Sequence, residues 1–410
     1  MQITLGHSSS TLLKHCAARK IDCDIRLPAS TLSSLSPSAA LPLEREPAAP
    51  LPPPATKAAT SPSPSPQPTR ETTTIATVCN ITSSSRRHSR CSSMQSEAPT
   101  CSKVPTVDVG GLGAHHAEEP CQQEWERVTR ELEQAFSDIG CAYLTGHGVP
   151  DHLINEMLST GVAFFKQQEE VKNRWSKDTN MHGYLSINSE RYAGAGPELH
   201  ESFLFKPDSY NSCDEEAPPF MTPLMTVHEF CLTLSRRLMT CLALSVGKNR
   251  DHFVNMHLDS GTKNSLSTYR LNYYPLASGG REDTTGFGAH VDYSTITLIY
   301  SNDSEGLQVR DSAGRWIDVK CVPGTIILLA GEFLHFHSYK RFRPAMHRVV
   351  LPSEHQPRRP HRCTLIWFEH ADSHQPMWPT SEDPTQPAPP GVKDFLMEKT
   401  TTAVKAVSRN

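Results

Sequence analysis

The sequence lacks long hydrophobic runs and any large excess of charge of one sign. No apolar stretch approaches the roughly 20 residues that a membrane-spanning helix needs. The formal net charge of the 410 residues is -4 at pH 7. A net charge this small gives no whole-protein field that would attract nucleic acid or anionic lipid. We therefore expect neither a membrane nor a nucleic acid as a partner.

Cysteine pairs at a metal-binding or redox spacing are also absent. The chain has twelve cysteines, and none forms a Cys-x-x-Cys pair, which argues against a zinc ribbon or a thioredoxin-type site. A chain of this length needs no disulfide framework, so we expect reduced thiols and a cytoplasmic protein. Lys14, Arg19 and Lys20, with no acid before Asp22, partly fit a mitochondrial transit peptide, which leaves that compartment as the alternative.

Large apolar residues are scarce in the first quarter of the chain. Residues 1–103 are rich in Ser, Thr, Pro and Ala, so they offer little apolar area to offset the entropy of ordering, and we expect a disordered segment. The rest divides by composition into four predicted parts: 104–225, helical and mixed; 226–264, a connecting helix region; 265–372, rich in strands; and 373–410, a proline-rich tail with a short helix.

The spacing of apolar residues over 104–372 predicts an α+β protein. Apolar residues at helical spacing predict helices at Cys121–Ile139, after Pro150, and at Val227–Leu244. From residue 265, short apolar strands alternate with turns, a pattern typical of a sandwich or jelly roll. We expect a double-stranded β-helix (jelly roll) core flanked by helices.

His290 and Asp292 are candidate metal ligands. On a strand, residues two apart share a face, so this pair would offer a nitrogen and an oxygen to one ion. His347, on a late strand of the same region, would complete the two-His-one-carboxylate face of non-haem Fe(II) oxygenases. With twenty histidines in the chain, a His-x-Asp pair alone is a weak signal.

Two further i, i+2 pairs lie on predicted strands of this region. Arg362 and Thr364 place a guanidinium fork and a hydroxyl on one face, a combination that suits a carboxylate. Asn272 and Tyr274 place an amide and a phenol on another face. Each pair alone is common on strands, so the evidence for a binding site lies in the order and spacing of the pairs around the candidate metal ligands.

The whole set resembles the isopenicillin-N-synthase-like family of Fe(II)/2-oxoglutarate-dependent dioxygenases, over about residues 104–372. The similarity extends to Gly306–Val309, Trp316–Val319, Val322–Thr325 and Gly146–Pro150. It implies that His290, Asp292 and His347 are the catalytic iron ligands. It also implies that 2-oxoglutarate is bound by four residues, Arg362, Thr364, Asn272 and Tyr274.

The resemblance implies oxidation, by default hydroxylation, of an unidentified small molecule, with release of succinate and CO2. Fe(II), 2-oxoglutarate and O2 would take part, with ascorbate as an optional reductant, and we expect a monomer. Two alternatives remain open: an iron oxidase of the same fold that does not use 2-oxoglutarate, and a non-catalytic jelly roll that binds a small molecule. Tyr184, Arg191 and His200 lie near the predicted mouth and are interpreted as ordinary surface residues.

Overall fold

The structure is a computed structural model that describes residues 103–176, 182–189, 198–206, 217–275, 285–302, 305–351, 361–383 and 385–408. The predicted disordered segment, apart from Lys103, and Arg191 lie outside these described residues.

Six helices are described. Three long ones, α1, α2 and α4, contribute most of the buried helical side chains. Their bounds are α1 Gln122–Asp138, α2 Asp151–Phe165, α3 Glu169–Asn173, α4 Met221–Ser245, α5 Glu332–His337 and α6 Val392–Ser408. None of the described helices is both long and apolar enough to cross a bilayer.

Twelve strands are described, most of them short. Their bounds are β1 Thr106–Asp108, β2 Cys141–Thr145, β3 Gly183–Leu185, β4 Glu201–Phe205, β5 Thr268–Tyr274, β6 Thr285–His290, β7 Ile296–Ser301, β8 Leu307–Arg310, β9 Trp316–Asp318, β10 Ile326–Ala330, β11 His347–Val350 and β12 Arg362–Glu369.

The strands form two sheets. The larger has the order β1-β2-β10-β7-β12-β5-β4-β3, and the smaller has the order β6-β11-β8-β9. All strand pairs are antiparallel except β1 with β2. Two facing antiparallel sheets with helices beside them confirm the predicted jelly roll.

The large sheet is buried on both faces. Leu271, Leu298 and Leu328 belong to the cluster that includes the apolar residues of α1, α2 and α4. Their strand neighbours Ile299 and Ile327 belong to a second cluster, which also takes in side chains of the small sheet. Alternation with period two therefore assigns one face of each strand to the helices and the other to the interior between the sheets.

Three details differ from the sequence expectations. Helix α4 begins at Met221 rather than Val227, because Pro223 stands in its first turn, where a missing N–H is tolerated. Helices α3 and α5 were not predicted. Strand β6 ends at His290, so Asp292 lies in the following loop and the argument from a shared strand face was wrong for that pair.

Candidate iron and 2-oxoglutarate site

The structure brings His290, Asp292 and His347 together. Asp292 Oδ1 lies 3.6 Å from His290 Nε2 and 3.8 Å from His347 Nε2. One ligand atom from each residue lies within 4.8 Å of the other two. The two histidines are direct partners across β6 and β11, so the sheet register places both imidazoles at the same height.

Backbone carbonyls set the tautomer of both histidines. His290 Nδ1 lies 2.8 Å from the Gly288 carbonyl oxygen, and His347 Nδ1 lies 2.9 Å from that of Ala345. A carbonyl only accepts, so each Nδ1 carries the proton and donates it. The Nε2 atoms, which face Asp292, therefore present their lone pairs.

Asp292, in the loop after β6, is held in place through both its backbone and its side chain. The Asp292 carbonyl accepts from the N–H of Glu332 at the start of α5, at 2.8 Å. The Thr297 hydroxyl donates to Asp292 Oδ2 at 2.7 Å. One carboxylate oxygen is thus held by threonine while the other faces the imidazoles.

The electrostatics of the group favour an ionised Asp292 carboxylate and a neutral His347 imidazole. Burial raises the pKa of Asp292, but the two histidines and the Thr297 hydrogen bond outweigh it and hold the pKa well below its usual range. Burial, with the neighbouring His290, lowers the pKa of His347 to about 4. Two imidazole nitrogens and one carboxylate are the donor set of non-haem Fe(II) sites, so the residues present fit Fe(II).

The four candidate cosubstrate residues lie side by side on β5 and β12. Arg362 pairs with Tyr274, and Thr364 pairs with Asn272. All four are buried, with 7% or less of their surface exposed. The Asn272 amide donates to the Tyr274 hydroxyl at 3.4 Å. The spacing argument therefore places both pairs on adjoining positions of one sheet face.

Three polar residues of the site were missed by sequence reasoning. Ser301 accepts a hydrogen bond from Arg362 Nη1 at 3.0 Å, Thr297 holds Asp292, and Arg270 Nε donates to Asn272 Oδ1 at 2.8 Å. A signal was present for each, because 297 and 301 share a face of β7, and 270 shares a face of β5 with 272 and 274.

The structure also corrects the interpretation of Tyr184 and His200 as surface residues. Both are buried, with 4% and 5% of their surface exposed.

Two family models match the chain. One, described as the non-haem dioxygenase in morphine synthesis N-terminal, matches residues 104–224. The other, the 2OG-Fe(II) oxygenase superfamily, matches residues 265–370. Together they cover more than half of the 410 residues, and the chain therefore belongs to the 2OG-Fe(II) oxygenase superfamily. It is an oxidoreductase of the Fe(II)/2-oxoglutarate-dependent dioxygenase class.

Curated relatives and solved structures agree with this membership. The chain is 27% identical over 274 residues to the homoarginine-6-hydroxylase 2-ODD-C23 of Glycine max, covering 61% of this chain and 81% of the relative. It is 28% identical over 262 residues to a leucoanthocyanidin dioxygenase of Petunia hybrida, covering 62% and 58%. Full-length Neurospora crassa T7H in complex with alpha-KG superposes with a TM-score of 0.62 at 20% identity, over 73% of this chain and 96% of that one. This likeness shows the fold.

Proposed function

We propose that the chain oxidises a small organic molecule at an iron ion held by His290, Asp292 and His347, with 2-oxoglutarate as cosubstrate. The observation that carries this proposal is the convergence of two imidazole nitrogens and one carboxylate on a single point. When bound, Fe(II) and 2-oxoglutarate would activate O2 for C–H hydroxylation: one oxygen atom would enter the substrate and the other succinate, with release of CO2 and with ascorbate as an optional reductant.

Arg362 and Thr364 are the proposed anchor for the distal carboxylate of 2-oxoglutarate. Ser301 accepts from one arm of the Arg362 fork, which fixes the direction of the guanidinium. The Tyr274 ring centroid lies 5.8 Å from the guanidinium carbon, within the range of a cation–π contact. Burial lowers the pKa of Arg362 but leaves the group a cation at neutral pH. A buried cation of fixed orientation suits a bidentate carboxylate.

The apolar interior between the sheets shields this site from water. Phe287 and Ile299, each 5% exposed or less, belong to the apolar cluster beside the proposed iron ligands. A dry pocket strengthens the electrostatic contacts that orient cosubstrate and substrate. The role of this chain is therefore to hold the reactants in register and to exclude water.

The metal assignment is tested by His290→Ala and Asp292→Ala. Each change removes one of three ligands, so we expect Fe(II) binding in anaerobic equilibrium dialysis to be lost and succinate release to fall at least 100-fold. The exposed residues His374 and Asp318 provide the matched controls His374→Ala and Asp318→Ala, which should retain wild-type values. Wild-type succinate release by His290→Ala would refute the assignment.

The names of the relatives indicate no single substrate. One is named for homoarginine and another for leucoanthocyanidin, so we assign this chain a small-molecule substrate and no compound. A mass search for products raised by one oxygen, after incubation with Fe(II), 2-oxoglutarate and a metabolite extract, would identify it.

We further propose a cytoplasmic monomer with no nucleic-acid or membrane partner. The small net charge supports the absence of such partners. Free thiols at the buried Cys141, Cys231, Cys241 and Cys363 suit a reducing compartment. Light scattering after gel filtration tests the monomer, and a dimer mass would contradict it. Localisation of a tagged chain tests the compartment, and a mitochondrial signal would contradict it.

A further inference from the structure

The inner face of the large sheet, which faces the small sheet, can be followed along β12. Residues that pair across neighbouring strands project their side chains to the same side. Thr364 pairs with Asn272 in the proposed 2-oxoglutarate site. Four positions later, Phe368 pairs with Thr297 of β7, the residue whose hydroxyl donates to Asp292. The inner face of β12 therefore leads from the cosubstrate residues to the side of the proposed iron site where Asp292 lies.

The inner face of β12 becomes more exposed in the same direction. Arg362 and Thr364 are buried, whereas Ile366, Phe368 and His370 are partly exposed. Strand β12 is central, with β7 along one edge and β5 along the other, so the exposed part of these side chains faces the space between the sheets. That space is therefore open to solvent at the end away from Arg362.

His370 directly follows β12 and lies at this open end. The centroid of its imidazole is 6.3 Å from that of the Phe368 ring, and the two planes differ by only 23°, so both rings lie on the inner side of the sheet. The His370 backbone N–H donates to the Ser267 hydroxyl at 3.0 Å. His370 is thus two strand positions, roughly 7 Å, further from the cosubstrate residues than Phe368.

The imidazole of His370 makes no hydrogen bond within the part of the chain that the structure describes. Nδ1 is enclosed and has no partner there, and no partner of Nε2 is found there either. Nε2 is not among the enclosed atoms, so a ligand can reach it. The buried imidazoles of His228 and His257, by contrast, bond through Nδ1. A polar ring without partners in a largely buried place costs free energy that a bound ligand can recover.

The imidazole of His370 is neutral at neutral pH. Burial, with His257 and Lys206 nearby, lowers the pKa of His370 to about 4. The Asp292 carboxylate acts in the opposite direction and is outweighed. A neutral imidazole has one donor and one acceptor nitrogen. A hydroxyl group both donates and accepts, so it can pair with Nε2 whichever nitrogen carries the proton.

We propose that His370 binds a hydroxyl group of the primary substrate through Nε2, with Phe368 against an adjoining apolar part of the molecule. The bound molecule extends from the open end of the inner face toward the proposed iron ligands, because Phe368 pairs with Thr297 beside Asp292. The substrate class is thus a hydroxyl compound with an apolar portion, oxidised at a carbon some bonds away from the recognised hydroxyl. This inference rests on the proposed function.

The probe is an extract of small metabolites from the organism that makes the protein, divided into three portions. One portion is untreated, one is acetylated at amines with N-acetoxysuccinimide, and one is acetylated at amines and hydroxyls with acetic anhydride in pyridine. With Fe(II) and 2-oxoglutarate present, the wild-type protein should form products raised by one oxygen from the first two portions only. Product from the fully acetylated portion, or none from either of the others, would overturn the hydroxyl assignment.

Variants of His370 connect this product to the imidazole. At the low concentrations of an extract, the rate of product formation reports kcat/KM. His370→Leu keeps apolar bulk beside Phe368 but loses the hydrogen bond, so we expect a rate about tenfold lower. His370→Asn, whose amide can donate and accept, should retain part of the rate. His374→Leu, at an exposed histidine, is the matched control and should leave it unchanged. A wild-type rate with His370→Leu would overturn the proposal.

A second readout separates substrate binding from an effect on the proposed iron and cosubstrate site. Anaerobic titration of the Fe(II) protein with 2-oxoglutarate, followed by visible absorption, should give His370→Leu the same affinity as wild type. A loss of 2-oxoglutarate affinity as large as the loss of product would overturn the assignment of His370 to the substrate. Failure of the wild-type protein to release succinate would instead refute the proposed function.

Discussion

Thr297 determines how Asp292 is presented. The hydroxyl is fully buried and donates to the carboxylate oxygen that does not face the histidines. It also lies 2.9 Å from the Ser294 hydroxyl, so a side chain of the loop and one of β7 form a short hydrogen-bonded chain behind the proposed iron ligand. Partners of this kind orient a metal ligand and tune its basicity.

Thr297→Val removes the hydroxyl and keeps the shape of the side chain. Asp292 Oδ2 would lose a buried hydrogen bond, and we expect Fe(II) affinity to fall about 10- to 100-fold, as measured by anaerobic equilibrium dialysis. Thr233→Val, at a hydroxyl that bonds only its own helix backbone, is the control and should bind Fe(II) as wild type does. Affinity within twofold of wild type for Thr297→Val would show that the hydroxyl does not position Asp292.

Side-chain partners near in sequence were easier to predict than distant ones. Arg362 with Thr364, and Asn272 with Tyr274, lie within continuous strands, so alternation alone puts each pair on one face. The burial of His200 depends on Gly286 and Phe287, more than 80 positions later in the chain. Spacing along the sequence carries no information about such contacts, and for this reason His200 was misjudged as a surface residue.

At the scale of elements, the loop after β6 is fixed by the start of α5. Gly331 precedes this helix, and its N–H donates to the Thr295 carbonyl at 3.1 Å. A Cβ added at Gly331 would lie 1.8 Å from the Ser294 carbonyl oxygen. Only glycine permits this approach, so helix α5 and the loop that carries Asp292 depend on each other for their positions.

Gly331→Ala should therefore disturb the proposed metal site from a distance. The backbone of the 292–295 loop must move to admit a methyl group, so we expect a loss of about 2 kcal/mol or more in unfolding free energy, together with weaker Fe(II) binding. Urea unfolding and anaerobic dialysis measure the two effects.

Gly324→Ala is the matched control, since its Cβ would meet no atom within 4 Å at a φ of +71°. It should cost only about 1 kcal/mol of backbone strain and leave Fe(II) binding intact. Wild-type behaviour of Gly331→Ala on both measures would contradict the coupling.

The ends of elements were harder to predict than their existence. The helix over α1 and the strands from β7 to β12 follow from apolar periodicity, which extends over several residues. No apolar periodicity marks the end of β6 at His290. The turn that follows is held by a hydrogen bond from the N–H of Glu332, which lies 40 positions after Asp292 in the sequence. The carboxylate still reaches the histidines, but a loop rather than a strand places it there.

At the scale of the whole molecule, the helical layer covers the outer face of the large sheet and buries titratable groups with it. His228 of α4 is 4% exposed, lies 3.0 Å from the Tyr269 hydroxyl through Nδ1, and packs edge-on to Trp367. Burial lowers the pKa of His228 to about 4, from 6.5 in an exposed histidine. Protonation of this imidazole is thus easier in the unfolded chain than in the folded one.

Folding stability should consequently fall as the pH drops from about 6.5 toward 4. The unfolded chain binds more protons in that window, so one such histidine removes about 1 kcal/mol between pH 7.5 and pH 5.5. Urea unfolding of the metal-free protein should show a pH dependence that is smaller by this amount in His228→Phe. Tyr269→Phe removes the hydroxyl but keeps the imidazole, and should retain the wild-type pH dependence. Equal slopes for His228→Phe and wild type would refute the assignment.

The direct pairing of His290 with His347 also bears on chain connectivity. An ion held by both residues would act as a cross-link between positions 57 apart in the sequence (347 − 290). By the chain-entropy relation used for disulfides, closing a ring of that size removes about 4 kcal/mol of freedom from the unfolded chain. The proposed iron ligands would then also join β6 to β11 in the small sheet, so that loss of the metal would destabilise the fold as well as abolish the activity.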